Sequence, residues 1–385
     1  MDPVILSACR TPIGKHKGAL SSCRPDDLLA TVLKEAVSRS QVASHQIDEC
    51  FAGCANQAGE DNRNVARMSV LLAGLPNTLP AATVNRLCAS GLEAIVQASR
   101  AIQTQDAQVV LAGGVESMSR APIVQDKLTG ATFDSSLGWR FKNPKLETLF
   151  PLESMGETAE NIAEKYQIIR SEQDLFAFTS HQKAVHAQKN GYFDAELLRL
   201  PELSQDEGPR PEASLEKLAS LKTIFRQNGS VTAGNSSSLN DGASALVLAS
   251  PTFAQTHSLK PLGRILGVAS IGLDPRYMGL GPLFSTQKLL KKLGLSIHNL
   301  DLIELNEAFA VQALAVIREL NLDPSQVNIS GGALALGHPL GCSGARIVTT
   351  LLYNLRRTQK RIGLATLCVG VGQGLSIIIE NNMLS

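Results

Sequence analysis

No stretch of the 385-residue chain approaches the ~18 consecutive apolar residues of a membrane-spanning helix, so none is expected. Charge of one sign is also missing: 36 Lys and Arg stand against 35 Asp and Glu, a formal net charge of +1. Nucleic-acid binders concentrate basic residues, so this balance argues against a polyanion partner, while a small anionic ligand needs only a local cluster. The seven cysteines lack paired Cys-x-x-Cys spacing, and the nearest two, Cys50 and Cys54, are four apart. No disulfide framework and no metal site are therefore expected, and free thiols point to a reducing compartment, the cytoplasm. The start, Met1-Asp2-Pro3-Val4-Ile5-Leu6, has no basic segment ahead of an apolar run and does not read as a signal peptide. Phosphate loops are missing too. Gly341-Cys342-Ser343-Gly344-Ala345-Arg346 lacks the Gly-Lys-Ser/Thr ending, and Gly370-Val371-Gly372-Gln373-Gly374 has the wrong spacing for a dinucleotide fingerprint.

What is present is a chain 44% hydrophobic and 18% charged, able to bury a core. Short apolar strands alternate with amphipathic helices, the pattern of an α/β protein. Strands are expected at Val4–Ser7, Glu49–Ala52, Val109–Ala112, Ala243–Leu248, Leu302–Leu305 and Ile362–Leu367. Helices are expected at Asp26–Ser38 and Asn62–Leu72, and directly after Cys88. The two ends of the chain repeat one plan. Ile47-Asp48 matches Leu300-Asp301 and Ser90-Gly91 matches Ser343-Gly344, both at an offset of 253. The expected division is residues 1–255 and 260–385, two duplicated halves. Between about 116 and 240 the chain is richer in charge and proline, and reads as an excursion inserted into the first half. It holds the sole tryptophan, in Leu137-Gly138-Trp139-Arg140-Phe141, and a capped helix near Ser171-Glu172-Gln173-Asp174.

Three glycine-flanked positions can carry chemistry. Cys88, in Asn85-Arg86-Leu87-Cys88-Ala89-Ser90-Gly91, precedes a helix whose free N–H groups would favour a thiolate; a buried structural cysteine is the plain alternative. His338, in Gly337-His338-Pro339-Leu340-Gly341, sits where Pro339 interrupts any helix and can act as base or hydrogen-bond donor. Cys368 ends an apolar strand, with Gly370 two residues on to present an unobstructed N–H. Asn306, after the strand at 302–305, can hold a water or a carbonyl oxygen, or simply cap the next helix.

Taken in order, these segments resemble the thiolases nearly end to end. The matching motifs are Arg10-Thr11-Pro12-Ile13-Gly14, the Cys88 segment, Gly113-Gly114-Val115-Glu116-Ser117-Met118-Ser119, Asn235-Ser236-Ser237-Ser238-Leu239-Asn240-Asp241-Gly242-Ala243, Asn306-Glu307-Ala308-Phe309-Ala310, the His338 segment and Cys368-Val369-Gly370. The resemblance implies two βαβαβαββ halves stacked as a five-layered αβαβα sandwich with an inserted loop domain. It implies cleavage of 3-oxoacyl-CoA by CoA, or the reverse condensation, through a cysteine thioester in a ping-pong mechanism. CoA would be a co-substrate, with no permanently bound cofactor. Cys88 would be the nucleophile, His338 its base and Cys368 the second acid/base. Asn306 (through a water) and His338 would hold one oxygen, and the N–H groups of Cys88 and Gly370 the other. Ser237, Ala233, Met155, Ala308 and Phe309 match pantetheine-lining positions. Lys222 stands where many members carry an arginine, and a lysine neither forks nor stacks in the same way.

The resemblance favours a degradative 3-oxoacyl-CoA thiolase, of the kind used in fatty-acid β-oxidation, with the acyl group open. Ser154 stands where biosynthetic acetoacetyl-CoA thiolases usually have histidine, and Gly138-Trp139-Arg140-Phe141-Lys142-Asn143-Pro144 looks like the 3-oxoadipyl-CoA branch. A homodimer or homotetramer is implied, and a hydratase/dehydrogenase partner is left open. A ketoacyl synthase would need a second histidine in place of Cys368, and a non-catalytic CoA-binding subunit would lack one of the three groups.

Overall fold

The computed structural model describes residues 2–56, 59–136 and 138–381; Met1 and Leu137, quoted above, lie outside them. The strands, in chain order, are β1 (Val4–Arg10), β2 (Gly14–Lys15), β3 (Glu49–Gly53), β4 (Ala81–Val84), β5 (Val109–Ser117), β6 (Ile123–Gln125), β7 (Thr132–Asp134), β8 (Asn240–Ala249), β9 (Gly263–Gly272), β10 (Leu302–Leu305), β11 (Ile362–Val369) and β12 (Gln373–Asn381). The helices are α1 (Pro25–Ser40), α2 (Val65–Leu72), α3 (Ser90–Gln103), α4 (Pro144–Leu149), α5 (Met155–Tyr166), α6 (Arg170–Lys189), α7 (Leu215–Ala219), α8 (Pro251–Thr256), α9 (Gly281–Leu293), α10 (Ala310–Glu319), α11 (Ala333–Leu336) and α12 (Leu340–Arg357).

The main sheet runs β10-β11-β12-β9-β1-β8-β5-β3-β4, with β2 beside β8. Among the described residues its two sides pair through Val4↔Arg264 and Ile5↔Gly263. Each side has the same order outward from that seam: β1-β8-β5-β3-β4 on one, β9-β12-β11-β10 on the other. Where the second side would hold a fifth strand, Val327 bridges Ile303 in parallel. Side chains alternate across a strand, so each sheet face feeds a different core. Val109 and Leu111 of β5 pack with α1 and α2, while Val110 and Ala112 pack with α3 and α12. On the other side Leu364 and Ile378 meet α9 and α10, whereas Ala365, Leu367 and Ile377 join the α3–α12 core. The layers are therefore helices, sheet, α3 with α12, sheet, helices. A helix between two sheets must be apolar or satisfied all round, and α12 is buried at every position from Gly341 to Leu352.

The repeat extends to hydrogen bonds. Asp48 Oδ2 accepts from the N–H groups of Gln108 (2.7 Å) and Val109 (2.9 Å). Asp301 Oδ2 accepts from Arg361 (3.0 Å) and Ile362 (2.9 Å), all three residues displaced by 253. Ser90-Gly91 and Ser343-Gly344 open α3 and α12, and there the two helices cross. A Cβ on Gly91 would lie 2.5 Å from the Gly341 carbonyl oxygen, and one on Gly344 would strike the Leu92 backbone.

Some elements differ from the sequence reading. The helix expected from Asn62 starts at Val65: Asn62 and Arg63 have φ of +48° and +63°, and Asn64 caps the helix through the Arg67 N–H (3.2 Å). The helix at 170–189 is not capped by Ser171; Glu172 reaches back to the Ile169 N–H (3.1 Å) instead. Strand β9 gave no clear sequence signal, because Gly263, Gly267 and Gly272 dilute its apolar alternation.

The α3–α12 crossing leaves no room for a side chain. Gly91→Ala should destabilise the protein by about 3 kcal/mol, seen as a lowered urea midpoint; an unchanged midpoint would show that the crossing relaxes freely.

Candidate active site

Cys88 lies in a 3-10 turn, Leu87–Ala89, between β4 and α3. Leu87 takes a left-handed φ of +48°. The turn is held by Asn85, whose Oδ1 accepts the Leu87 N–H (2.9 Å) and whose Nδ2 donates to the Ala55 carbonyl (2.9 Å). Ser90 Oγ donates to the Leu87 carbonyl (2.7 Å) and accepts the Arg86 N–H (2.9 Å). The Cys88 sulfur is thereby exposed to the loop after β11, where the Gly370 N–H faces it.

The electrostatics reverse the expectation of a resting thiolate. Burial pushes the Cys88 thiol up to about 11, and the N–H groups of Gly370 and Cys88 only partly offset this. Cys368, buried at the end of β11, is raised further, first by burial and then by Cys88 itself. Burial lowers His338 to about 4, with Arg346 acting in the same direction. At neutral pH the site thus holds two thiols and a neutral imidazole.

His338 occupies the break between α11 and α12. Gly337 has φ of +110°, and the Asn240 side chain fills the space a Cβ there would need. Asn240 Oδ1 accepts the His338 N–H (3.0 Å) while its Nδ2 donates to the Gly14 carbonyl (3.0 Å). Ser343 Oγ donates to the Pro339 carbonyl (2.9 Å), so it meets His338 Nδ1 at 2.6 Å as an acceptor. This network assigns the proton to Nδ1 and leaves Nε2 as the basic nitrogen. Asn306 Nδ2 approaches the ring at 3.5 Å. Asn306 is fully buried, its Oδ1 has no partner, and α10 begins only at Ala310, so it is not a helix cap. A buried, unpaired amide oxygen fits a site that receives a water or ligand group.

Glu116 ties these parts together. Its Oε2 accepts the N–H groups of Ala55 and Gly341 (both 2.9 Å) and its Oε1 that of Asn56 (3.2 Å). Burial raises its carboxyl to about 7, against the pull of those N–H groups. Sequence reading gave no role to Glu116, Asn240 or Ser343. Their signal was position inside motifs, which does not show what a side chain grips.

The pantetheine candidates divide. Cys368, Ala308 and Phe309 share one apolar cluster, with Met155 and Phe225 packed against it. Met155 Sδ lies 3.6 Å from where a Gly370 Cβ would stand. Ser237 N–H donates to the Ala308 carbonyl (2.9 Å). Ala233 and Lys222 are exposed instead, Lys222 on an open concavity formed by residues 222–228. In that concavity Arg226 is engaged with Glu157 (3.0 Å).

Residues 3–252 match the family model "Thiolase, N-terminal domain" and residues 259–381 match "Thiolase, C-terminal domain". The chain is 50% identical to the beta-ketoadipyl-CoA thiolase of Pseudomonas putida, over 98% of this chain and 99% of that one. It is also 50% identical to the 3-oxoadipyl-CoA/3-oxo-5,6-dehydrosuberyl-CoA thiolase of Escherichia coli (strain K12), over 98% of each chain. An acetyl-CoA acetyltransferase of Pseudomonas aeruginosa is 44% identical, over 99% of this chain and 100% of that one. Among solved structures, human mitochondrial 3-ketoacyl-CoA thiolase in complex with CoA superposes with a TM-score of 0.93 at 39% identity, covering 99% of this chain and 98% of that one.

If the high-pKa thiol of Cys88 depends on the imidazole to lose its proton, His338→Ala should slow its alkylation by iodoacetamide at pH 8 by ~100-fold. Equal rates, followed by mass spectrometry of the Cys88 peptide, would separate the two groups.

Proposed function

Because this chain belongs to the thiolase family, we propose that Cys88, His338, Cys368, Asn306 and Gly370 carry its reaction, with a 3-oxoacyl-CoA bearing a distal carboxylate as substrate. The protein is an acyl-CoA acyltransferase that cleaves 3-oxoacyl-CoA with CoA to acetyl-CoA and a shortened acyl-CoA, reversibly, and CoA enters as a substrate. In this reading residues 1–255 and 260–385 are its two halves, the first carrying 116–240 as an inserted loop domain.

The chemistry follows from the resting charges. His338 Nε2 takes the Cys88 proton as the sulfur attacks the C3 carbonyl. The oxyanion meets the N–H groups of Cys88 and Gly370, each worth about 3 kcal/mol. Collapse breaks the C2–C3 bond and leaves an acetyl-CoA enolate, whose oxygen faces His338 and a water on Asn306. Cys368, held as a thiol by burial and by its neighbouring sulfur, gives its proton to the enolate carbon. It then takes the thiol proton of incoming CoA, whose sulfur displaces Cys88 from the acyl group, and the departing Cys88 thiolate recovers its proton from His338. Ser237, Met155, Ala308 and Phe309 would line the pantetheine, with Ala233 and Lys222 further out. The observation that carries this reading is the packing of the Cys88 turn on the end of β11: Leu87 and Cys88 join the apolar cluster that holds Val369, and Leu87 Cδ1 lies 3.3 Å from where a Gly370 Cβ would stand.

The substrate class rests on the relatives. Those at 50% identity bear beta-ketoadipyl or 3-oxoadipyl names, against 44% for the acetyl-CoA acetyltransferase. Ser154 and the segment at 138–144 agree with that ordering. A carboxylate-ended acyl group fills the position that the sequence left open, in place of fatty-acid β-oxidation. A homodimer or homotetramer belongs to the same reading, because β4, at the edge of the sheet, is half-exposed along all four residues and a second copy would cover it. Among the described residues no helix is long and apolar enough to cross a membrane; we place the protein in the cytoplasm.

Thiolysis of 3-oxoadipyl-CoA should exceed that of acetoacetyl-CoA and of a medium-chain 3-oxoacyl-CoA in kcat/KM, with Cys88→Ala inactive and without an acyl adduct. Activity should persist as pH falls and decline only as His338 gains its proton near pH 4; an acid limb centred at ~6.5 would identify an unperturbed histidine.

A further inference from the structure

The reading above requires a cation for the far end of the acyl chain, and the relatives' names do not say which residue supplies it. The arginines of the segments around the site are mostly neutralised: Arg86 pairs with Glu93 (2.9 Å), Arg120 with Glu60 (2.5 Å) and Arg226 with Glu157 (3.0 Å). Arg140 differs. It is half-buried and, among the described residues, has no carboxylate within ion-pair distance and donates only to the neutral Asn56 Oδ1 (3.3 Å). A partly desolvated guanidinium with spare donors is matched to an incoming carboxylate.

Its neighbours fix where it stands. Asn56 donates its backbone N–H to Glu116, the carboxylate that also holds Gly341 (2.9 Å). Ala55, beside it, receives Asn85 Nδ2 (2.9 Å), and Asn85 pins the Cys88 turn. On the opposite wall, Trp139 Nε1 donates to the Glu153 carbonyl (2.8 Å), two residues before Met155, whose sulfur neighbours Gly370. Trp139 and Arg140 thus span from the wall carrying the nucleophile to the wall carrying the oxyanion loop. Phe141 is held at φ +50°, a left-handed conformation rare for an aromatic residue, with its ring against Phe133 (centroids 4.9 Å apart). Such backbone outliers persist where the surroundings over-determine them, often beside a ligand.

We propose that Arg140, presented by the Gly138–Phe141 loop between Asn56 and Glu153, receives the distal carboxylate of the 3-oxoacyl chain and selects dicarboxylic substrates. In 3-oxoadipyl-CoA that carboxyl carbon lies three bonds beyond the carbon attacked by Cys88, a short reach. The proposal rests on the substrate class given above.

The test compares wild type and Arg140→Met on 3-oxoadipyl-CoA and on 3-oxohexanoyl-CoA, its analogue with a methyl group in place of the carboxylate. The ratio of their kcat/KM values should fall ~30-fold in the variant, mainly through the KM of the dicarboxylic substrate. A loss common to both substrates leaves that ratio unmoved and overturns the proposal, since it shows a structural role. A variant as selective as wild type also overturns it, while the substrate class stands. A wild type that does not prefer 3-oxoadipyl-CoA overturns the substrate class itself, and the proposal with it.

Discussion

The close approach of two helix N-termini is the constraint on which the rest of the molecule depends. α3 and α12 cross at Gly91 and Gly344, and Gly114 of β5 faces the same Gly341 carbonyl so closely that no Cβ fits. This junction brings the turn before one helix, with Cys88, to the break before the other, with His338. Glu116 then fastens it by accepting N–H groups from Ala55, Asn56 and Gly341 at once. Packing and polar contacts reinforce each other here, because a buried carboxylate is tolerable only when its lone pairs are satisfied.

That arrangement also explains the charges. Burial at this junction penalises every ion, so the sulfurs keep their protons and the imidazole stays uncharged. Protons must therefore move together with bond making, and the fixed Nδ1–H···Ser343 contact decides which nitrogen is free to accept one. Among the described residues the buried amide oxygen of Asn306, beside the ring, has no hydrogen-bond partner.

Much of this was legible in the residues. Alternating strands and helices, the 253-residue offset and the three glycine-flanked segments came from local pattern, which short apolar strands and amphipathic helices express directly. The thiol's direction of shift was misjudged, since a helix N-terminus is visible in sequence but the burial that outweighs it is not. The supports of His338 were hidden for a related reason: Asn240 and Ser343 act through distances set by tertiary packing, and 98 positions separate Asn240 from the backbone it holds. Strand β9 was hidden because glycines break its alternation.

The paired aspartate latches, Asp48 and Asp301, mark a frame that is symmetric while its contents are not. Carried across by the same offset, Cys88 falls on Gly341, His338 on Asn85 and Cys368 on Val115. Two of these twins serve as scaffold: Gly341 gives its amide to Glu116, and Asn85 braces the Cys88 turn. Two identical halves could not do this, because any residue placed on one would recur on the other. Joined in one polypeptide, the twins differ, so that a single lopsided pocket sits in a near-twofold frame.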